Sequence, residues 1–235
     1  MKKTRAIFKW SLLLAGLLGF PASADFSCDY DLRRGVVVGN DTVRILDESR
    51  TRYQINQAKQ LFADGRLINL TTNQQSLIFR YSNGLTAVTP EITLLAKDGL
   101  GLITDNITRI YSGLVGGDIE GLNQLQSAMK NVKNSVREKY GFNGEYYFIN
   151  PGQLEMNEGV DASLREQITS GFSNVSAILT AIGTFNVSAE GNEDEFMLKK
   201  RAKSTCAELE ELNSIETKLQ NEIPALKKLN VIEAR

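Results

Sequence analysis

Carboxylates carry whatever general acid–base chemistry this chain could perform, because its 235 residues contain no histidine. That absence excludes the Ser-His-Asp triad, the Cys-His pair, an imidazole base and most zinc and copper sites together. Among the acids, Asp29 and Asp31 stand two apart beside Cys28, Glu145 opens an aromatic run, and Glu155 and Glu158 follow it. Two of these held close in a cleft, one with a raised pKa, would suit a hydrolase of cell-wall sugars. The cluster of Glu190, Glu193, Asp194 and Glu195 offers oxygens to a hard cation but lacks a calcium-loop spacing, and helix-start acids explain it more simply. Tyr146, Tyr147 and Phe148 could stack on a sugar or a peptide, or pack alternate rings under a helix. Gly99-x-Gly101 is followed by Thr104 where a dinucleotide fingerprint needs Gly or Ala, and no P-loop or Gly-x-Ser-x-Gly elbow is present. The residues therefore assign no catalytic, cofactor-binding or metal site.

The remaining chemistry is that of two cysteines, Cys28 and Cys206. Lys2, Lys3, Arg5 and Lys9 precede an apolar run from Trp10 to Phe20 that is too short to span a bilayer, and Ala22-Ser23-Ala24 is a small-residue cleavage site. The pattern predicts an export signal cut after Ala24, with a mature chain starting at Asp25. Asp25, Phe26 and Ser27 do not form a lipidation box before Cys28, and no later run is long enough to cross a membrane. Outside the cytoplasm, two cysteines without a C-x-x-C spacing predict one structural disulfide, Cys28 to Cys206. Closing so long a loop would be worth about 5 kcal/mol in the chain-entropy model. Without the four basic residues of the signal, the formal charge moves from −1 to about −5, which disfavours nucleic acid or anionic lipid as partner.

The elements that must position these residues read in two blocks. In the strand-rich block, 25–71, β-branched runs flank Gly39-Asn40-Asp41 as a hairpin, Tyr53 and Ile55 alternate with polar residues, and Ala63-Asp64-Gly65-Arg66 turns into Leu67–Leu70. From Thr72 onward the spacing becomes helical, with a restart expected at Thr89-Pro90-Glu91 and a possible break at Gly99 and Gly101. Leu122, Leu125, Met129, Val132, Val136 and Tyr140 make a helical stripe ending at Gly141, and an aromatic strand or hairpin follows near 143–156. Asp161 caps a further helix that Gly183 ends. The last stretch, Glu190 to Ala234, carries a stripe through Ala202, Cys206, Leu209, Leu212, Leu219, Ile223 and Leu226, with a kink or restart expected near Ile223 because Pro224 removes a backbone donor. Glu216 and Asn230 interrupt the seam, so a core-facing helix is favoured over a dimerising coiled coil.

The export signal, the strand-rich region opening on Ser27-Cys28-Asp29-Tyr30, the helical middle broken by an aromatic segment, and Lys203-Ser204-Thr205-Cys206 with its helical tail together resemble the YggN-like family of uncharacterised proteobacterial periplasmic proteins. The resemblance implies the periplasm of a Gram-negative bacterium and transfers no activity, cofactor or site residue. The chain as a whole reads as α+β, a small N-terminal antiparallel sheet packed with a mainly helical remainder, 72–235, as one domain. The functional expectation is a non-catalytic binding or chaperone-like envelope protein that holds a periplasmic protein or peptide. Its rivals are a hydrolase using two of Asp29, Asp31, Glu145, Glu155 and Glu158, and a peripheral membrane protein using Leu100 to Val115.

Overall fold

The computed structural model describes residues 26–115, 119–150, 170–184 and 193–235. Six strands lead the chain: β1 (Tyr30–Leu32), β2 (Gly35–Val38), β3 (Thr42–Asp47), β4 (Arg50–Asn56), β5 (Gln60–Ala63) and β6 (Arg66–Ile68). Helix α1 (Thr72–Val115) and helix α2 (Ile119–Lys139) follow, then β7 (Tyr140–Phe142) and β8 (Tyr147–Ile149). The chain finishes with α3 (Val175–Thr184), α4 (Glu193–Glu222), a 3-10 turn at Pro224–Leu226 and β9 (Ile232–Ala234).

The sheet is not small. Seven strands pair in the order β6-β5-β4-β3-β2-β8-β7, so the aromatic segment returns to the N-terminal strands and extends them. Period-two alternation explains why these residues build one buried face. Val36, Val38, Val43, Ile45, Tyr53, Ile55, Leu61 and Ile149 are all buried, while their neighbours Val37, Arg44, Gln54, Phe62 and Phe148 are half-buried on the other side. Helix α1 packs against β2, β3, β7 and β8 and also against α4, so one long rod joins the sheet to the helical layer.

Three sequence expectations are corrected. Helix α1 runs unbroken through Pro90, Gly99 and Gly101. One missing backbone donor at Pro90 is a local loss; it is outweighed by the burial of Leu77, Ile78, Tyr81, Leu85, Val88, Ile92, Leu95 and Ala96 along the rod. Helix α2 ends at Lys139 rather than at Gly141, because Tyr140, Gly141 and Phe142 pair with Ile149, Phe148 and Tyr147. The last stretch breaks near Ile223 as Pro224 implied, with α4 stopping at Glu222 and a 3-10 turn at Pro224–Leu226, but it does not stay helical to Ala234: Ile232, Glu233 and Ala234 pair antiparallel with Leu32, Asp31 and Tyr30. The export signal, Gly116-Gly117-Asp118, the part of the expected hairpin beyond Asn150 and the cap at Asp161 lie outside the described residues.

Candidate functional site

Strand β1 and strand β9 form a two-stranded ribbon that brings polar groups from distant parts of the chain together. Asp31, 8% exposed, points one carboxylate oxygen at the backbone N–H of Leu32 (2.8 Å) and of Val175 (3.0 Å), while the other accepts from the Arg235 guanidinium at 2.7 Å. Val175 is the first residue of α3, so Asp31 supplies an acceptor and a negative charge to that helix's N-terminus. Asn174 completes the cap by accepting the Ala177 N–H at 2.8 Å. Arg235 also donates its backbone N–H to the Asp29 carbonyl at 2.8 Å.

Beside this junction α2 gives way to β7, and a cavity of about 160 Å³ opens between β1, that turn and the start of α3. Lys139, the last residue of α2, donates from Nζ to the Ser173 carbonyl at 2.6 Å. Burial holds its ammonium below the usual lysine range, and the Asp31 charge partly opposes that shift. Tyr140 is 3% exposed; burial, with the Asp31 charge adding to it, drives its phenol far above the ordinary tyrosine value, so it stays a proton donor.

A second buried acid stands away from the cavity. Glu216 on α4 is 1% exposed and accepts from the Tyr81 hydroxyl at 2.6 Å, the Val231 N–H at 2.8 Å and the Ile232 N–H at 3.3 Å. Burial raises its carboxyl above the usual range and the hydrogen bonds from Tyr81 and the two backbone donors pull the other way. Its work is positional: it ties α1, α4 and the segment entering β9.

The sequence-derived candidates divide accordingly. Cys28 and Cys206 form a disulfide with Cα atoms 5.7 Å apart, joining the segment before β1 to α4. Asp29 is exposed and accepts from the Ser27 hydroxyl at 3.1 Å, and Asp31 is committed to its three donors. Glu145 is exposed in the turn before β8, where its hydrogen bond with the Tyr146 phenol, and then its charge, raise that phenol above the ordinary tyrosine value. Glu155, Glu158 and Glu190 lie outside the described residues. Of Asp29, Asp31 and Glu145 only Asp31 lines the cavity described above, and no group of three or more His, Cys, Asp or Glu among the described residues could hold a metal ion. No helix among the described residues is long and apolar enough to cross a membrane.

The aromatic run is split by the pleat. Phe148 stands opposite Val37 on the less buried face, and its ring fills the space a side chain on Gly141 would need. The Tyr146 ring does the same over Gly39, with the Arg44 guanidinium 5.1 Å from its centre. Tyr147 falls on the opposite side and meets Phe142 at 4.5 Å between ring centres. Sequence reasoning missed Lys139 and Arg235 and read Tyr140 only as the last position of an apolar helical stripe. Glu216 did carry a signal, since it falls between Leu212 and Leu219 on an otherwise apolar seam.

A family model described as "Protein of unknown function (DUF2884)" matches residues 28–198. No curated protein and no solved structure matches the chain.

Proposed function

The chain belongs to this DUF2884 family of proteins of unknown function, and we propose that it is an exported binding protein of the cell envelope, acting in the periplasm of a Gram-negative bacterium like the YggN-like proteins it resembles. It holds an extended peptide or a partner protein and transforms no substrate. The disulfide between Cys28 and Cys206 supports an oxidising compartment. The observation that carries the binding reading is the less buried face of the seven-stranded sheet. Register places Phe148, Val37, Arg44, Gln54, Phe62 and Leu67 side by side across six strands of it. Neighbours in such a row lie about 4.8 Å apart, so it runs roughly 24 Å. Leu67 is 55% exposed and the other five are half-buried, which leaves apolar surface flanking one cation and one amide. Apolar ends with a polar middle suit a peptide whose side chains alternate in character.

Photo-crosslinking in cells tests this reading. With a benzophenone amino acid at position 62 or 148, the same discrete partners are expected from both positions; at Phe79, exposed on α1, they are not. Identical products from all three positions, or none from 62 and 148, would refute it. In parallel, purified protein incubated with cell-wall glycan should release no new reducing ends; release that Asp29→Asn or Asp31→Asn abolishes would favour the hydrolase instead.

A further inference from the structure

We propose that the cavity between β1, the α2–β7 turn and the start of α3 binds a small anion, a carboxylate or a phosphate of about six non-hydrogen atoms. The size follows from the volume: about 160 Å³ is close to that of an engineered cavity of roughly 150 Å³ that takes up benzene. The sign follows from the lining. Lys139, Asn150 and Asn174 present N–H groups, the Arg33 guanidinium is already paired with the Glu233 carboxylate, and Asp31 is the only acid among the lining residues. Its oxygens already serve Leu32, Val175 and Arg235, and the Arg235 guanidinium neutralises its charge. Asn150 spends one amide hydrogen on the Glu138 carbonyl at 2.8 Å and Asn174 one on the Ser173 hydroxyl at 2.9 Å; each amide carries a second. The Lys139 ammonium is fixed at the wall by Ser173 and stands 5.7 Å from the centre of the Tyr140 ring.

Tyr140 supplies the independent observation. Its hydroxyl is the one side-chain group of this lining that is buried with no hydrogen-bond partner among the described residues. A buried hydroxyl left unmet is a standing penalty, which an anionic acceptor reaching it would remove. Because burial keeps the phenol protonated, it can donate to such an acceptor at any physiological pH. Leu32, Ile149 and Val175 give the cavity an apolar side, which suits a short-chain carboxylate better than a fully hydrated ion. This site does not depend on the sheet-face reading above and stands or falls separately from it.

The test is thermal unfolding of the oxidised mature chain at fixed ionic strength, with sodium chloride replaced stepwise by acetate, propionate or inorganic phosphate. A saturable rise in Tm with at least one of the three is expected. Tyr140→Phe in chloride should be as stable as the parent or more so, since it deletes an unmet hydroxyl, yet the anion concentration giving half the rise should increase about tenfold. Lys139→Gln should weaken the rise at least as much. If none of the three anions raises Tm saturably, or if both variants keep the parent's half-saturation concentration, the site does not exist as described.

Discussion

Replacing both cysteines, Cys28→Ala with Cys206→Ala, perturbs the unfolded chain far more than the folded one. Cys28 is 1% exposed and keeps two other anchors: its N–H donates to the Thr180 hydroxyl oxygen at 2.9 Å and its carbonyl accepts from the Ser176 hydroxyl at 2.5 Å. The ribbon of β1 with β9 and the Asp31 cap on α3 lie just beyond, so the segment retains its seat when the sulfurs go. What is lost is the constraint on a chain whose bridged residues are 178 apart, a loss of about 5 kcal/mol in the chain-entropy model. Against a total stability on the order of 5–15 kcal/mol, that is a large fraction. With a urea dependence of roughly 2–3 kcal/mol per molar, the unfolding midpoint should fall by about 2 M. The assay is urea unfolding followed by far-ultraviolet circular dichroism, with the oxidised parent, the reduced parent and the double variant side by side. The last two should agree. A fall below about 0.5 M would refute the reasoning, because it would mean that the unfolded chain is already as restricted without the bridge as with it.

Asp31→Ala should destabilise by about 3 kcal/mol, since it strips the acceptor from two backbone N–H groups and from Arg235; a loss under about 1 kcal/mol in the same urea assay would contradict the assigned bonds. Burial raises the Glu216 carboxyl above its ordinary value of 4.5, so the folded chain holds that proton more tightly than the unfolded one does. Its contribution to stability is full below 4.5 and declines as the pH rises through the raised value, so Glu216→Gln, which cannot titrate, should gain on the parent between pH 4 and 7. A stability difference that stays flat over that range would remove Glu216 as the titrating group. At Gly183 an added Cβ would stand 2.1 Å from Cδ1 of Phe26, so Gly183→Ala should cost about 1–3 kcal/mol. Gly101, inside α1 with nothing near its missing Cβ, should instead gain up to about 1 kcal/mol as alanine, and equal effects at the two glycines would contradict the packing.

The strands were legible where alternation is strong. Val36 to Ile45 and Tyr53 with Ile55 read directly as half-buried strands around the turn at Gly39, whose N–H bonds to the Thr42 carbonyl at 2.9 Å. Helix α1 was harder, because Pro90 and the glycines speak locally against a rod that tertiary burial sustains. Strand β9 left no pattern at all. Three residues, Ile232 to Ala234, are extended because Tyr30 to Leu32 lie beside them, and a pairing between the two ends of a chain has no local signature. The candidate cavity was invisible for the same reason: Asp31, the adjacent Lys139 and Tyr140, and Asn174 come from three stretches that no spacing in sequence relates.

The two fastenings at this junction do different physical work. A disulfide limits how far Cys28 can wander from Cys206 but leaves the orientation of β1 open. Orientation comes from directional bonds: Glu216 receives the N–H groups of Val231 and Ile232, Asp31 receives those of Leu32 and Val175, and the ribbon between them fixes register. Each buried carboxylate is held by donors from segments far from it in sequence, so neither end of the ribbon can leave without stranding a charge or an N–H in a low-dielectric interior. Asp31, Leu32 and Val175 also line the cavity, and its geometry is therefore only as well defined as the junction that Asp31 holds. A ligand that reads Lys139 and Tyr140 would consequently add to the stability of the closed ribbon, coupling occupancy of the cavity to the fold through mass action.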